Sequence, residues 1–357
     1  MQSLRFGVVG TGMMGCEHLR NLLPMDDVIV TAVSDPNDEP LRWAELTLGN
    51  SWKGVTVFRD HRDLLASGLV DAVIVASPNH THKAILDDTL SSEIHVLVEK
   101  PMCTTVDDCK SVVVAAKDRS AVTWVGLEYR YMPPIARLLD SIRAGDIGSL
   151  KMLAIREHRF PFLVKVDNWN RFTRNTGGTL VEKCCHFFDL MNLAVGARPS
   201  RVYASGGQDV NHLDEVYEGR RSDILDNAYV IVDYDNGVRT MLDLSMFAEG
   251  GRNEQEIVAV GDTGKLETAV PGDGNLHLGR RVDRSVTAIP VPVEDVGHVG
   301  FHHGASYVEL RRFIDAVRGA GAVEVDTTAG LWSVVVGAAA HRSIDERRPV
   351  DIAEYGL

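Results

Sequence analysis

No stretch of this 357-residue chain runs apolar for the roughly 18 residues a membrane-crossing helix requires. An excess of basic charge is also missing. The 37 Lys and Arg stand against 50 Asp and Glu, a formal charge of −13, so neither nucleic acid nor an anionic membrane is expected as the main partner. The opening Met1-Gln2-Ser3-Leu4-Arg5 lacks a basic region leading into an apolar signal core, so the expected location is cytoplasmic. Cysteine is scarce, with five residues at 16, 103, 109, 184 and 185, an odd and scattered set that makes no disulfide framework. There is no CxxC and no HExxH. Zinc at Cys184, Cys185 and His186 would need two adjacent side chains in one tetrahedral shell, so buried free thiols and no metal are expected.

What is present suits two domains, because single hydrophobic cores stop growing at about 250–300 residues. Over the first 125 residues, short apolar runs (4–9, 28–33, 55–58, 72–76, 95–98, 122–125) alternate with helical patterns. Strands apolar on both faces and separated by helices predict a doubly wound parallel sheet, an α/β Rossmann arrangement. One of these helices is expected over 104–119, with Thr-Thr to cap it, Asp107 and Asp108 in its first turn and Lys117 and Arg119 in its last. Beyond about residue 126 the texture changes. A helix over 135–144 leads into strand-like alternation, with turns at Asn236-Gly237 and Asp262-Thr263-Gly264. A hairpin is expected of 229–234 with 238–244, helices over 305–317 and 329–343, and a long loop within 270–300. The expectation is a dinucleotide-binding domain over 1–125, then an α+β domain over 126–357 with a mostly antiparallel open sheet.

Gly10-Thr11-Gly12-Met13-Met14-Gly15 follows the first strand and opens the first helix. In such a turn the first glycine allows the tight bend, the second lets backbone approach a pyrophosphate, and the third lets helix and strand pack closely. Asp35 lies twenty residues past Gly15, where a carboxylate binds adenosine ribose hydroxyls and repels a 2′-phosphate, so NAD is favoured over NADP. Ser77-Pro78-Asn79-His80-Thr81-His82 follows the fourth strand and Glu99-Lys100-Pro101 the fifth, at the strand ends where parallel sheets bind ligands. On position alone, Lys100 is either a solvated lysine or a group held against substrate.

These motifs, with Gly126 to Pro133 (including Arg130), Gly177-Gly178 and the His186 to Asp189 segment, resemble the glucose–fructose oxidoreductase/inositol dehydrogenase/rhizopine-catabolism (Gfo/Idh/MocA) family. The resemblance covers most of the chain. It implies a Rossmann domain followed by an α/β domain whose open sheet carries the substrate site and often an oligomer interface, here a homodimer or homotetramer. It further implies NAD(P)-dependent oxidation or reduction of a ring hydroxyl on a sugar or cyclitol. Cofactor contacts then fall to Gly10, Gly12, Met13, Met14, Asp35, Ser77, Asn79, His82, Glu99 and Lys100. Lys100 is expected beside substrate or nicotinamide, and His186 as proton acceptor. The family's usual Asp-x-Gly-x-His reads Glu182-Lys183-Cys184-Cys185-His186 here, so a glutamate and a cysteine replace the aspartate and the glycine.

Chemistry supports the segment independently. Moving hydride from a secondary alcohol requires a base for the hydroxyl proton, and histidine titrates near neutrality. If 180–194 is one helix, Glu182 and His186 share a face at i,i+4, and the carboxylate orients the imidazole. Residues 151–183 hold seven basic side chains against Glu157, Asp167 and Glu182, a basic stretch in an acidic chain. Solvated or ion-paired arginines explain it, and so does a site for an anionic substrate group. Arg130, His158, Arg159, Lys165, Trp169 and Arg171 are the substrate-binding candidates. His302-His303 before the helix at 305 is either surface or pocket edge. The leading reading is an NAD-dependent dehydrogenase of a sugar, cyclitol or sugar acid. Two others stand beside it: a redox-neutral NAD-dependent glycosidase acting on an anionic glycoside such as a sulfoquinovoside, and a non-catalytic NAD-binding sensor.

Overall fold

The computed structural model describes residues 3–293 and 295–357. Two compact units emerge. One comprises the chain up to Tyr131 together with Lys165–Trp169 and Asp295–Leu331. The other comprises Met132–Val164, the stretch from Asn170 to residue 293, and Trp332–Leu357.

In the first unit the chain runs β1 (Leu4–Val9), α1 (Met13–Leu22), β2 (Val28–Ser34), α2 (Asp38–Leu48), β3 (Thr56–Phe58), α3 (His61–Ala66), β4 (Ala72–Val75), α4 (His82–Leu90), β5 (His95–Glu99), α5 (Val106–Ala116) and β6 (Thr123–Gly126). All six strands are parallel, in the order β3-β2-β1-β4-β5-β6. The order reverses between β1 and β4, so the helices that follow those two strands lie on opposite faces of the sheet and leave a crevice at the strands' carboxyl ends. Phe6, Val8, Val73, Ile74, Val75, Val96, Leu97 and Val98 are fully buried, as strands covered on both faces require. Thr105 caps α5 by accepting a hydrogen bond from the Asp108 backbone N–H, with Asp107 and Asp108 in the first turn.

The second unit holds α6 (Pro133–Arg143), β7 (Leu150–His158), α7 (Thr173–Thr176), α8 (Thr179–Glu182), α9 (Cys185–Val195), β8 (Pro199–Gly207), β9 (Val216–Tyr217), β10 (Arg220–Arg221), β11 (Asn227–Tyr234), β12 (Arg239–Ser245), β13 (Gln255–Gly261), β14 (Gly264–Val270), β15 (Asn275–Arg280) and β16 (Val286–Pro290). Then come α10 (Ala305–Val317), α11 (Thr327–Glu346) and β17 (Val350–Asp351). The nine-stranded sheet runs β16-β15-β14-β13-β7-β12-β11-β8-β17, and β7 with β12 is its single parallel pair. The β11–β12 hairpin turns at Asn236-Gly237, with Gly237 at φ 82.

Two expectations are corrected. The Gly- and Pro-rich stretch within 270–300 is not one long loop: β15 and β16 occupy much of it, because Leu276 and Leu278 alternate inward and extend the β14 ladder. Residues 180–194 are not one helix. α8 ends at Glu182 and α9 begins at Cys185, with Cys184 in the flattened bridge region at φ −87, ψ −6.

Helix α10 belongs to the first unit although it lies late in the chain. Asp27 accepts hydrogen bonds from Arg311 at 2.6 Å and from Arg318, which also donates to the Asp27 carbonyl at 2.8 Å. Trp124 Nε1 on β6 donates to Glu309 on α10 at 3.1 Å. Burial, reinforced by the Glu128 and Glu99 charges, pushes the Glu309 carboxyl well above its ordinary range.

Candidate active site

The glycine turn satisfies three separate steric demands. Gly10 has φ +87, and a Cβ there would sit 2.6 Å from the Ser77 backbone nitrogen, so the loops after β1 and β4 touch at this point. A Cβ on Gly15 would lie 2.0 Å from the Gly10 carbonyl oxygen, so α1 can pack this close only without a side chain. A Cβ on Gly12 would meet nothing within 4 Å, and Gly12 caps α1 without a side-chain hydrogen bond. The first-turn N–H groups, with the half-buried Met13 and Met14, therefore border open space at a positive helix end. Asp35 is buried at the end of β2. Its Oδ2 accepts from Thr11 N at 2.9 Å and from Thr11 Oγ1 at 3.3 Å, and its Oδ1 from Asn37 N at 3.0 Å. The carboxylate pins the glycine turn and keeps lone pairs for ribose hydroxyls.

The loops after β4 and β5 are clasped by His82. Its Nδ1 lies 2.9 Å from the Pro101 carbonyl and its Nε2 3.0 Å from the Ser77 carbonyl, while burial lowers its pKa. His82 is fully buried, so it positions Ser77 and the Lys100-Pro101 turn (a cis peptide) from beneath. Ser77 Oγ pairs with Thr81 Oγ1 at 2.7 Å. Asn79 is buried, and its Nδ2, shielded from solvent, has no hydrogen-bond partner among the described residues. An unpartnered donor beside the open glycine turn fits a nucleotide that brings acceptor oxygens.

Glu99 is buried against His18, whose Nε2 lies 2.6 Å from Glu99 Oε1, and its Oε2 accepts from Lys100 N at 3.2 Å. Burial acts to raise its pKa. The His18 hydrogen bond and the charges of His18, Lys100 and His302 outweigh that and hold the carboxylate below its ordinary range. His18 went unnoticed in the sequence, where nothing distinguishes a histidine on an amphipathic helix face.

Three candidates from the middle of the chain join this unit. Lys165 Nζ lies 3.8 Å from Met13 Sδ, and Trp169 meets His80 edge-on with ring centroids 6.3 Å apart. Arg130 donates to the Glu324 carbonyl at 2.7 Å. His302 is half-buried, 3.2 Å from Glu128 and 5.7 Å from the Tyr129 ring centroid, whereas His303 is exposed.

In the second unit the double glycine has a specific tenant. Gly178 has φ +90, and a Cβ there would lie 2.3 Å from His341 Nε2. That same nitrogen accepts the Leu180 N–H at 3.0 Å and so holds the start of α8. Burial brings the His341 pKa down to about 4, consistent with a ring nitrogen that must stay unprotonated to accept. Glu182 then ends α8. The next residue, Lys183, turns inward onto Glu157 at 3.0 Å, and His186 sits in the first turn of α9, 2% exposed.

The other basic candidates divide by strand alternation. Glu157 faces inward from β7, while Arg156 and His158 project from the opposite face, where Asp243 holds them at 3.1 and 3.0 Å. The sheet thus separates His158 from Glu157 and Lys183. Arg171 is buried and committed to Glu215 at 2.9 Å and to the Phe162 carbonyl at 3.2 Å. Against burial, the Tyr217, His212 and Arg171 contacts draw the Glu215 carboxyl down to about 2. Among the described residues no group of three or more His, Cys, Asp or Glu is placed to hold a metal ion.

Comparison with known proteins agrees with this geometry. Residues 4–127 match the model of the oxidoreductase family's NAD-binding Rossmann fold, and residues 140–352 that of its C-terminal alpha/beta domain. The chain belongs to the Gfo/Idh/MocA oxidoreductase family. It is an NAD-dependent oxidoreductase. The myo-inositol 2-dehydrogenase of Thermotoga maritima is 27% identical over 98% of this chain and 99% of its own length. A 2,7-anhydro-N-acetylneuraminate hydratase of Escherichia coli is 27% identical over 57% of this chain and 53% of its own. The fold matches a levoglucosan dehydrogenase crystallised with NADH and levoglucosan, with a TM-score of 0.85, 20% identity, and coverage of 98% of this chain and 100% of that one.

Proposed function

We propose that this family member oxidises a ring hydroxyl of a sugar, cyclitol or sugar acid, with NAD as hydride acceptor. The observation that carries the reading is the arrangement of the Rossmann unit. Lys100 directly follows β5, beside the β4 loop that touches Gly10, so a cation stands at the strand ends where the glycine turn opens. Similarity to a myo-inositol dehydrogenase along nearly the whole chain supports the substrate class. NAD supplies a carbon that takes hydride. In this reading Gly12 and the first turn of α1 hold the pyrophosphate, Asp35 holds the ribose and Lys100 stabilises the developing alkoxide. His186 accepts the hydroxyl proton.

The test replaces each group while sparing its shape. His186→Gln and Lys100→Met are each expected to lower kcat by about two to four orders of magnitude. NAD affinity, read by calorimetry, should change less than threefold in His186→Gln. Near-normal turnover in either variant overturns that residue's role. A second reading, a redox-neutral reaction that borrows and returns the hydride, is favoured by the likeness to an anhydro-sugar hydratase. Glycoside cleavage without net NADH absorbance would select it.

Assembly as a homo-oligomer belongs to the same proposal. The outer face of the nine-stranded sheet exposes Met152, Tyr203, Tyr229, Ile231 and Met241, with Ile231 directly opposite both Tyr203 and Met241. An apolar stripe of this kind suits a second copy of the sheet.

A further inference from the structure

A segment from the middle of the chain joins the two loops that flank the crevice. Residues Lys165–Trp169 belong to the first unit, although the chain before and after them belongs to the second. Lys165 Nζ lies 3.8 Å from Met13 Sδ, where the loop after β1 enters α1. At the other end of the segment the Trp169 ring meets His80, in the loop after β4, edge-on with centroids 6.3 Å apart. Those two loops touch each other at Gly10 and Ser77, and Met13 and His80 lie farther along them. The segment therefore spans from one loop to the other, outside the point where they meet. Its own backbone is one that L side chains seldom adopt. Asp167 (φ 53, ψ 19) and Asn168 (φ 51, ψ 30) are consecutive left-handed residues, and the Asn168 N–H donates to the Lys165 carbonyl at 3.0 Å. Asp and Asn tolerate this conformation better than other residues with a Cβ, and costly backbone of this kind collects where ligands are clamped.

Charge shows what the segment would clamp. The pyrophosphate of NAD carries two negative charges, and a helix N-terminus offsets about half of one. The first turn of α1, Met13-Met14-Gly15-Cys16, has no charged side chain, and Asp35, which pins the glycine turn, is itself acidic. A counter-charge from the protein has to come from outside the turn, and the half-buried Lys165 stands beside Met13. An ammonium is a point charge with three rotatable donors, which suits phosphate oxygens pointing in several directions. Resting on the placement of the pyrophosphate at Gly12, we propose that residues 165–169 form a clasp over the cofactor. Lys165 binds the pyrophosphate, and the contact of Trp169 with His80 holds the segment across the crevice. Lys165 is thereby a cofactor residue and not a substrate residue.

Calorimetry on the full chain compares NAD, ADP-ribose and ADP, which share the pyrophosphate, at ionic strengths of about 0.02 M and about 0.5 M. Lys165→Met keeps a stem against Met13 and removes the charge. All three ligands should then bind about tenfold or more weakly at low salt, with a smaller deficit at high salt, and Lys165→Arg should restore most of the affinity. Trp169→Ala combined with Lys165→Met should lose little more than Lys165→Met alone, because both act through one charge. Melting temperatures without NAD confirm that each variant is folded. Unchanged affinity for all three ligands in Lys165→Met overturns the clasp, and so does a loss for NAD that spares ADP and ADP-ribose. A deficit that persists at high salt, or that arginine does not restore, makes the contact one of packing and overturns it as well. Additive losses in the double variant overturn the part given to Trp169. Gly12→Ala keeps the underlying placement separate. Parent-like NAD binding in that variant overturns the pyrophosphate position, whereas weakened binding there beside parent-like binding in Lys165→Met overturns Lys165 alone.

Discussion

Gly12→Ala separates the cofactor role of the glycine turn from its folding role. Gly12 has φ −66 and ψ −160, extended backbone that alanine adopts, and its Cβ would enter empty space. Folding should therefore be unharmed. Fewer unfolded conformations make the change neutral to stabilising, by up to about 1 kcal/mol. The new methyl would occupy the space through which a pyrophosphate reaches the α1 N–H groups. Losing one charge-assisted hydrogen bond costs about 1.5–3 kcal/mol, or roughly 10- to 150-fold in NAD affinity. Gly10→Ala is the control of opposite sign. A left-handed φ costs an L-residue about 1–2 kcal/mol, and a Cβ 2.6 Å from Ser77 N adds about 1–3 more through overpacking. The assay is thermal and urea unfolding of the NAD-free protein beside calorimetric NAD titration. If Gly12→Ala binds NAD as tightly as the parent, or loses more than about 1 kcal/mol of stability, the reasoning about the cradle is wrong.

Other perturbations test the supports of the site. His341 stays neutral in the fold down to about pH 4, whereas in the unfolded chain it protonates near 6.5. Stability should therefore fall between pH 6.5 and 4 by up to about 3 kcal/mol, and urea titrations of His341→Gln should show a flatter acid slope. Gly178→Ala should destabilise by about 2–4 kcal/mol, with part of the loss recovered when His341→Ala removes the clashing ring, as a double-mutant cycle would reveal. The Asp27 carboxyl is held down at about 2 by Arg311 and Arg318, so its contribution is complete above about pH 4 and disappears as pH falls through 2. With the pair about a third exposed, solvent screening reduces that contribution to about 1 kcal/mol, and Asp27→Asn should lose it at pH 7 but not at pH 2.

The parallel sheet, the glycine turn and the β11–β12 hairpin were legible in the sequence because each depends on neighbours within a few residues. Apolar runs bounded by turns mark buried strands, and Asn236-Gly237 meets the φ requirement of a tight turn locally. The break at Cys184 was not legible. Within it Lys183 turns onto Glu157, a partner 26 positions away that no local propensity reveals. The strands at 275–280 and 286–290 were missed for a related reason: their pairing with β14 outweighs a composition that by itself reads as loop.

For the candidate site, residue types and order along the chain were enough to mark Gly10, Gly12 and Asp35, because a phosphate cradle and a ribose carboxylate need particular chemistry at particular spacings, whereas Lys100 and His186 were marked through the family resemblance. Tertiary structure alone decided what each basic residue does. Strand alternation turns His158 to the outer face, enclosure commits Arg171 to Glu215, and the chain's return at 165–169 sets Lys165 and Trp169 beside Met13 and His80. It also decided why Gly178 must be glycine, since His341, 163 residues later, fills the space a side chain would need. Local chemistry is written in sequence order. Charge pairing and burial depend on which distant residues share a space, and only the folded chain determines that.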